Sequence, residues 1–175
     1  KNGIIKLPYD KNEKLRIFSS AIERSSICGH IKSERLIQAE NSLNAALDKT
    51  DALNFIERLR NIQRVDVDKT FEDGETFEND IKIIHTPGHT TGHLSFFCEQ
   101  ESTVIAGDAL IVVGNEFEIA NPEFTVDLPR ALKSVKIIQD LNPKKIICYH
   151  GGAVSDRIKE KLESLISRYE LTDHF

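Results

Sequence analysis

The segment 85–93, here called the histidine loop, reads His-Thr-Pro-Gly-His-Thr-Thr-Gly-His and contains three histidines at intervals of four residues. This spacing would place all three imidazoles on one face of a helix. However, Pro87 and Gly88 break a helix, and the threonines disfavour one. The sequence therefore predicts a glycine-rich loop that follows the apolar strand 81–84. Loops on a rigid scaffold are common positions for metal-ligating and catalytic side chains.

Two later apolar segments also end in a side chain that can bind a metal. The segment 103–107 leads into Asp108, and the segment 145–149 leads into His150, which two glycines follow. Each has the length and composition of a buried strand. Together with the histidine loop, three predicted strands thus deliver a potential metal ligand at their carboxyl ends. No Gly-x-Ser-x-Gly motif or phosphate-binding glycine loop supports a competing mechanism.

Through these motifs the chain resembles the metallo-β-lactamase-fold hydrolases. The similarity rests on the H-T-P-G-H-T-x-G-H histidine loop, the G-D-A-L turn at 107–110 and the C-x-H-G strand end at 148–151. It extends from residue 69 to about residue 169. Each motif is weak alone, whereas the three motifs in this order are specific. The resemblance implies an α/β fold, namely an αββα sandwich of the metallo-β-lactamase type.

The resemblance also implies that His89, Asp108 and His150 bind metal, with Asp108 bridging two ions. The first histidine of the loop is usually not a ligand in this family, so His85 and His93 are expected to orient the ligands through hydrogen bonds. Imidazole and carboxylate donors suit zinc best, and iron or manganese are also compatible. We expect two zinc ions in the complete protein, while the catalytic residues stay unassigned.

The implied function is that of a metal-dependent hydrolase. A bound metal lowers the pKa of water to about 7 and polarises a carbonyl group. A metal-bound hydroxide would then attack an ester, thioester, lactone or related bond of a small-molecule substrate. Two alternatives stay open: a truncated or degenerate, non-catalytic domain of this fold, and an iron-dependent redox member of it. Nothing in the sequence selects one substrate.

A purely structural role also stays open for each proposed ligand, because histidines and aspartates often stabilise loops and turns through backbone hydrogen bonds. Cys148 lies two residues before His150 on the same strand face, where we expect a small buried side chain. His30 and His174 are expected at the surface.

The family's H-x-H-x-D-H motif, which supplies the remaining ligands, does not occur in this sequence. The chain begins with lysine and contains no methionine, so we expect an N-terminal portion carrying the motif to precede it. Segments 3–9 and 14–20 would then correspond to the helix and the strand that follow the motif. With three ligands and an exposed sheet edge, the chain alone is expected to bind metal weakly, hydrolyse little and self-associate.

The composition indicates one domain, 1–175, of an ordinary globular protein, with 39% hydrophobic and 29% charged residues. The net charge of −5 and the absence of a basic run argue against nucleic-acid binding. No apolar stretch approaches the roughly 20 residues that a membrane-spanning helix needs. Three cysteines without C-x-x-C spacing favour reduced thiols and a cytoplasmic protein. Association into a homo-oligomer is the one macromolecular contact that we expect.

The rest of the sequence predicts the elements that position these motifs. Ser33 is expected to cap one helix and Thr50 a second. This helical pair at 33–63 either packs only on the sheet or forms an insertion that covers the substrate on the metal side. Asp127 and Ser155 are expected to cap two later helices. Strands are expected at 81–84, 94–98, 103–107 and 145–149.

Overall fold

The structure is a computed structural model that describes residues 16–78, 80–121 and 124–172, and its elements confirm the α/β class. In chain order they are β1 (Phe18–Ser20), α1 (Ala21–Ile27), α2 (Glu34–Ser42), a 3₁₀ helix (Leu43–Ala45), α3 (Lys49–Arg60), β2 (Lys69–Phe71), β3 (Thr76–Phe77), β4 (Ile81–His85), β5 (Leu94–Cys98), β6 (Thr103–Gly107), β7 (Ile111–Val113), β8 (Glu116–Glu118), α4 (Leu128–Asp140), β9 (Lys145–Cys148), β10 (Gly152–Val154) and α5 (Ile158–Thr172).

The centre of the fold is a six-stranded mixed sheet with the spatial order β10-β9-β6-β5-β4-β3. β4 pairs antiparallel with β5, β5 pairs antiparallel with β6, and β6 pairs parallel with β9. β4, β6 and β9 therefore run in the same direction, so their carboxyl ends lie along one edge of the sheet. A parallel pair requires a long crossover, which here carries β7, β8 and α4.

The main hydrophobic core lies between this sheet and helices α4 and α5. Val104 and Ile146 contribute fully buried side chains from β6 and β9, and Val135 and Leu162 contribute them from the two helices. Burying an apolar side chain of this size contributes about 1.5–3 kcal/mol. This layer therefore fixes the strands whose ends carry the proposed ligands. The four predicted strands and the two predicted later helices, α4 and α5, are confirmed.

The N-terminal part of the described chain contributes a smaller pair of strands and a pair of helices. β1 pairs parallel with β2, and α2 packs against α3. The strand predicted at 14–20 is confirmed for β1, whereas segment 3–9 and His174 lie outside the described residues. Helix α1 was not predicted from the sequence. The rings of three phenylalanines lie 5.2–5.4 Å apart, namely Phe18, Phe71 and Phe77.

Two of the four predicted helix caps are confirmed and two are wrong. Ser33 and Asp127 each accept a hydrogen bond from the backbone N–H three residues later. The cap predicted at Thr50 is wrong, because Asp48 precedes α3 and its carboxylate accepts from two backbone N–H groups. The cap predicted at Ser155 is wrong because a left-handed residue, with φ of 45°, separates it from α5. None of the helices in the described ranges has the length and apolar composition needed to cross a bilayer.

Candidate metal centre

The three predicted metal ligands come from one edge of the central sheet. His89 lies in the histidine loop after β4, Asp108 directly follows β6, and His150 follows β9. Nε2 of His150 is 3.6 Å from Oδ1 of Asp108, and both residues are near enough to His89 to interact electrostatically with its imidazole. The common direction of the three strands thus brings the three side chains into one region.

The histidine loop is held on one side by the start of α4. The carbonyl of Pro87 accepts a hydrogen bond of 2.7 Å from Oγ of Ser134, and the carbonyl of Gly88 accepts one of 3.0 Å from the backbone N–H of Asp127. Gly88 has φ of +144°, and a Cβ atom there would lie 2.4 Å from the backbone of Ala131. Only glycine allows the loop to approach α4 this closely.

The other side of the histidine loop is held by two glutamates from α1 and α2. The backbone N–H of Thr91 donates to the Glu34 carboxylate at 2.8 Å, and that of Gly92 donates to Glu23 at 3.1 Å. The hydroxyl of Thr91 also donates to Glu34. Gly92 packs tightly, since a Cβ atom there would lie 2.5 Å from Oγ of Ser20. Both glutamates therefore fix backbone groups of the loop that carries His89.

His93 links the histidine loop to the turn after β6 through an ordered hydrogen-bond chain. The backbone N–H of Asp108 donates to Nε2 of His93 at 3.2 Å. Burial is the main reason that the pKa of His93 is lowered to about 4, so this imidazole is neutral at pH 7 and Nδ1 carries its proton. Nδ1 donates to Thr86 Oγ1 at 2.8 Å, Thr86 donates to Ser95 Oγ at 2.8 Å, and Ser95 donates to the carbonyl of Ala106 at 3.3 Å. This series of hydrogen bonds fixes the backbone that presents the Asp108 side chain.

Two of the proposed ligands carry buried polar atoms without a hydrogen-bond partner in the described part of the chain, namely Nδ1 of His89 and Oδ1 of Asp108. Leaving such an atom unpaired costs about 1–3 kcal/mol. Burial lowers the pKa of His89, although the negative charge of Asp108 opposes this effect. A neutral imidazole nitrogen and a carboxylate oxygen are donors that zinc and iron accept. The residues present therefore fit a metal ion.

The structure does not by itself assemble a finished metal site. Among the described residues, no group of three or more His, Cys, Asp or Glu side chains is arranged to hold an ion. The side chain of His150 is 66% exposed, whereas that of Asp108 is 30% exposed. Coordination by all three predicted ligands therefore stays a prediction.

The other histidines and Cys148 differ in what surrounds them. Nε2 of His85 is buried with no hydrogen-bond partner among the described residues, so an orienting role for His85 stays a prediction. His93 makes the contact with Asp108 that such a role requires. Cys148 is buried, as predicted, and burial raises the pKa of its thiol to about 12. His30 is exposed, as predicted.

Sequence reasoning did not identify the residues that the helical pair brings to the centre. Glu34 binds the histidine loop, and the charge of the neighbouring Arg35 acts on His89. Neither residue belongs to a motif with a characteristic spacing. The only signal in the sequence is the position of Glu34 immediately after the helix cap Ser33, where an acidic residue has an ordinary role in stabilising the helix.

Comparison with known proteins places the chain in a family. Residues 28–150 match the metallo-beta-lactamase superfamily. A probable metallo-hydrolase from Methanocaldococcus jannaschii is 40% identical over 93 residues, which are 53% of this chain and 43% of that protein. A metallo-beta-lactamase family protein from Thermus thermophilus has a similar fold, with a TM-score of 0.62 and 22% sequence identity. The similarity covers 89% of this chain and 53% of the Thermus protein.

A second solved structure is that of a protein in a di-iron-bound form, with a TM-score of 0.54 and 17% sequence identity. The similarity covers 85% of this chain and 63% of the di-iron protein. The chain thus spans about half the length of the relatives that it matches. The structural similarities show the fold, which agrees with the sandwich type expected from the motifs. Because the superfamily match covers well over half of the sequence, the chain belongs to the metallo-beta-lactamase superfamily.

Proposed function

We propose that this chain contributes metal ligands to a metal-dependent hydrolase that cleaves an ester, thioester, lactone or related acyl bond. The observation that carries the proposal is a pair of buried atoms without a hydrogen-bond partner among the residues that the structure describes, Nδ1 of His89 and Oδ1 of Asp108, on the strand edge where His150 also lies. Membership of the superfamily and a relative named as a probable metallo-hydrolase support the same reaction class.

His89, Asp108 and His150 would hold the ion, and Asp108 would be the ligand shared with a second ion. When bound, a divalent cation supplies a Lewis acid and lowers the pKa of water. Zinc is the ion that these donors suit best, and the solved relative in a di-iron-bound form makes iron the alternative to test.

The protein itself contributes position and protonation state. His93 is neutral and accepts from the backbone N–H of Asp108, so the Asp108 carboxylate is presented from a fixed backbone. The low pKa of His89 leaves its imidazole neutral and able to bind an ion near pH 7. In the hydrolysis, the oxygen of water bonds to the acyl carbon and the bond to the leaving group breaks. One proton of the water goes to the leaving group and the other to the solvent, and the acid is released as a carboxylate.

The test is zinc and iron(II) binding by the full chain, measured by calorimetry, together with the metal-dependent hydrolysis of p-nitrophenyl acetate. Asp108→Asn and His150→Gln are each expected to weaken metal binding at least tenfold and to abolish the metal-dependent hydrolysis. Asp140→Asn is the matched control, since this exposed residue at the end of α4 lies away from the centre. Unchanged metal affinity in both ligand variants would refute the proposed site.

A further inference from the structure

The helical pair lines an open cavity that the metal centre does not use. This cavity, of about 680 Å³, lies among α2, the 3₁₀ helix, α3 and Phe124. Its volume falls within the range of small-molecule sites, roughly 300–1,000 Å³. Small and aromatic side chains form most of the wall, so the space suits an apolar chain. The apolar lining residues include Ala39, Ala45, Ala46, Ala52, Phe55 and Phe124.

Arg35 supplies a positive charge at the wall of this cavity. Its guanidinium lies 3.6 Å from the ring centroid of Phe124 and 5.1 Å from that of Phe55. It forms no ion pair or hydrogen bond with any residue that the structure describes. Stacking between rings leaves the edge of the guanidinium available, and that edge matches the two oxygens of a carboxylate.

Gln38, about one turn along α2 from Arg35, lines the same cavity. Its Oε1 atom is buried and has no hydrogen-bond partner within the described ranges. Burial of an unpaired polar atom is unfavourable unless a ligand or another group supplies a hydrogen bond. The wall thus combines apolar surface with two polar groups that have unused hydrogen-bonding capacity, which is the usual composition of a ligand site.

The cavity and the metal centre share a boundary. Glu34, the residue before Arg35, accepts a hydrogen bond from the histidine loop, and Arg35 itself contacts the ring of Phe124. On the opposite wall, the backbone N–H of Val126 donates to the carbonyl of His89 at 3.3 Å, just after Phe124. Arg35 therefore lies between the apolar cavity and the proposed ligands.

We propose that the cavity binds the apolar acyl chain of the substrate and that Arg35 binds the oxygen atoms at the carboxyl end of that chain. The substrate class is then an ester or thioester of an apolar carboxylic acid, held with its reacting carbonyl towards His89. This assignment of a substrate rests on the proposed hydrolase function. Binding of the released acid, however, requires neither a metal nor a reaction, and it can be measured separately.

The experiment is an NMR titration of the full chain in EDTA with octanoate and with octanol, which differ in the charged end group. Octanoate is expected to bind at least tenfold more tightly than octanol. Arg35→Gln should remove this preference and leave octanol binding unchanged, whereas Arg35→Lys should retain part of it. Ala39→Leu should weaken both ligands because it fills the cavity.

Arg60→Gln is the matched control, since it removes the same charge from the same helical pair at a residue outside the cavity wall, where Arg60 pairs with Glu40. It should leave both affinities unchanged. The proposal is overturned if octanoate binds no more tightly than octanol, or if Arg35→Gln changes octanoate binding less than twofold while the variant remains folded by circular dichroism. Because this titration contains no metal, either failure leaves the hydrolase proposal standing. Conversely, Asp108→Asn is expected to lose the metal-dependent hydrolysis and still to bind octanoate.

Discussion

The histidine loop lies between two regions that differ in how they use apolar side chains. On the side of α4 and α5, Val135 and Leu162 are completely buried in a continuous core. On the side of α2 and α3, Leu36 and Ile56 are the buried apolar side chains of the two helices, whereas Leu53 is 52% exposed. One region is therefore closely packed, and the other leaves apolar side chains exposed and lines the cavity.

The two regions also differ in how their polar groups are hydrogen-bonded. On the sheet side, the hydrogen bonds that run from the backbone N–H of Asp108 through His93 to Ala106 pair their donors and acceptors. Among the described residues, the unpaired buried side-chain atoms on this side belong to the histidine loop and to Asp108. On the helical side, Oε1 of Gln38 has no hydrogen-bond partner among the described residues, and the guanidinium of Arg35 contacts aromatic rings rather than a carboxylate. Complete pairing fixes a geometry, while unpaired groups at a cavity wall provide places for a ligand to bind.

The largest expected effect tests whether the core on the side of α4 and α5 contributes most of the free energy of unfolding. Leu162→Ala removes a fully buried side chain from α5 and should lower the free energy of unfolding by about 3–4 kcal/mol. Leu53→Ala, the same substitution on the exposed face of α3, should lower it by about 0.5 kcal/mol or less. Urea unfolding followed by circular dichroism measures both values. Equal losses would contradict the difference between the regions.

The next effect concerns the attachment of the histidine loop to the sheet side. Gly88→Ala would place a Cβ atom 2.4 Å from the backbone of Ala131, and we expect a loss of about 3 kcal/mol from overpacking and backbone strain. Gly114→Ala is the control, because Gly114 also has positive φ, at +57°, but has nothing within 4 Å of a Cβ atom. Its loss should be about 1 kcal/mol. A similar loss in both variants would show that the loop can move away from α4.

The hydrogen-bond chain through His93 predicts a dependence of stability on pH. The pKa of His93 is about 4 in the folded protein, compared with about 6.5 in an unfolded chain. Between these values the unfolded state binds more protons, so the contribution is complete above about pH 6.5 and decreases as the pH falls towards 4. The expected loss is about 2–3 kcal/mol, measured by urea unfolding in EDTA across this range.

Two variants distinguish the contribution of His93 to this pH dependence from the contributions of other titrating groups. His93→Gln should flatten the pH dependence between pH 4 and 6.5, whereas His30→Gln, at an exposed position, should leave it unchanged. If the wild-type protein and His93→Gln lose the same stability across this range, protonation of His93 is not the cause.

The sequence predicted the strands and helices of both regions, but not the contacts that the helical side makes with the histidine loop, for a physical reason. Strands such as β6 and β9 are short apolar segments whose carboxyl ends carry polar residues, so both the strands and the edge that they share follow from local patterns. Arg35 and Phe124 lie far apart in sequence and meet only because α2 packs beside the histidine loop. Local periodicity contains no information on such a contact. The cap at Thr50 was wrong for a different, local reason, because the carboxylate of Asp48, two residues earlier, accepts from the first backbone N–H groups of the helix.

The smallest expected effect lies where the two regions meet. Glu34 accepts hydrogen bonds from both the backbone N–H and the hydroxyl of Thr91. In Glu34→Gln the side chain can still accept through its carbonyl oxygen, but it loses the charge and one acceptor. We expect a local cost of about 1 kcal/mol, which corresponds to about fivefold faster hydrogen exchange at the amide of Thr91.

Exchange measured by NMR distinguishes a local effect from a global one. In Glu34→Gln, the amides of Val104 and Ile146 in the central sheet should exchange at their original rates, because their opening depends on the core formed with α4 and α5. Glu57→Gln, at an exposed position of α3, should change neither set of amides. If Thr91 and the central strands accelerate together, the helical pair and the sheet unfold as one cooperative unit. The helical side would then be part of the rigid scaffold, and its cavity would be less able to adapt to a bound acyl chain.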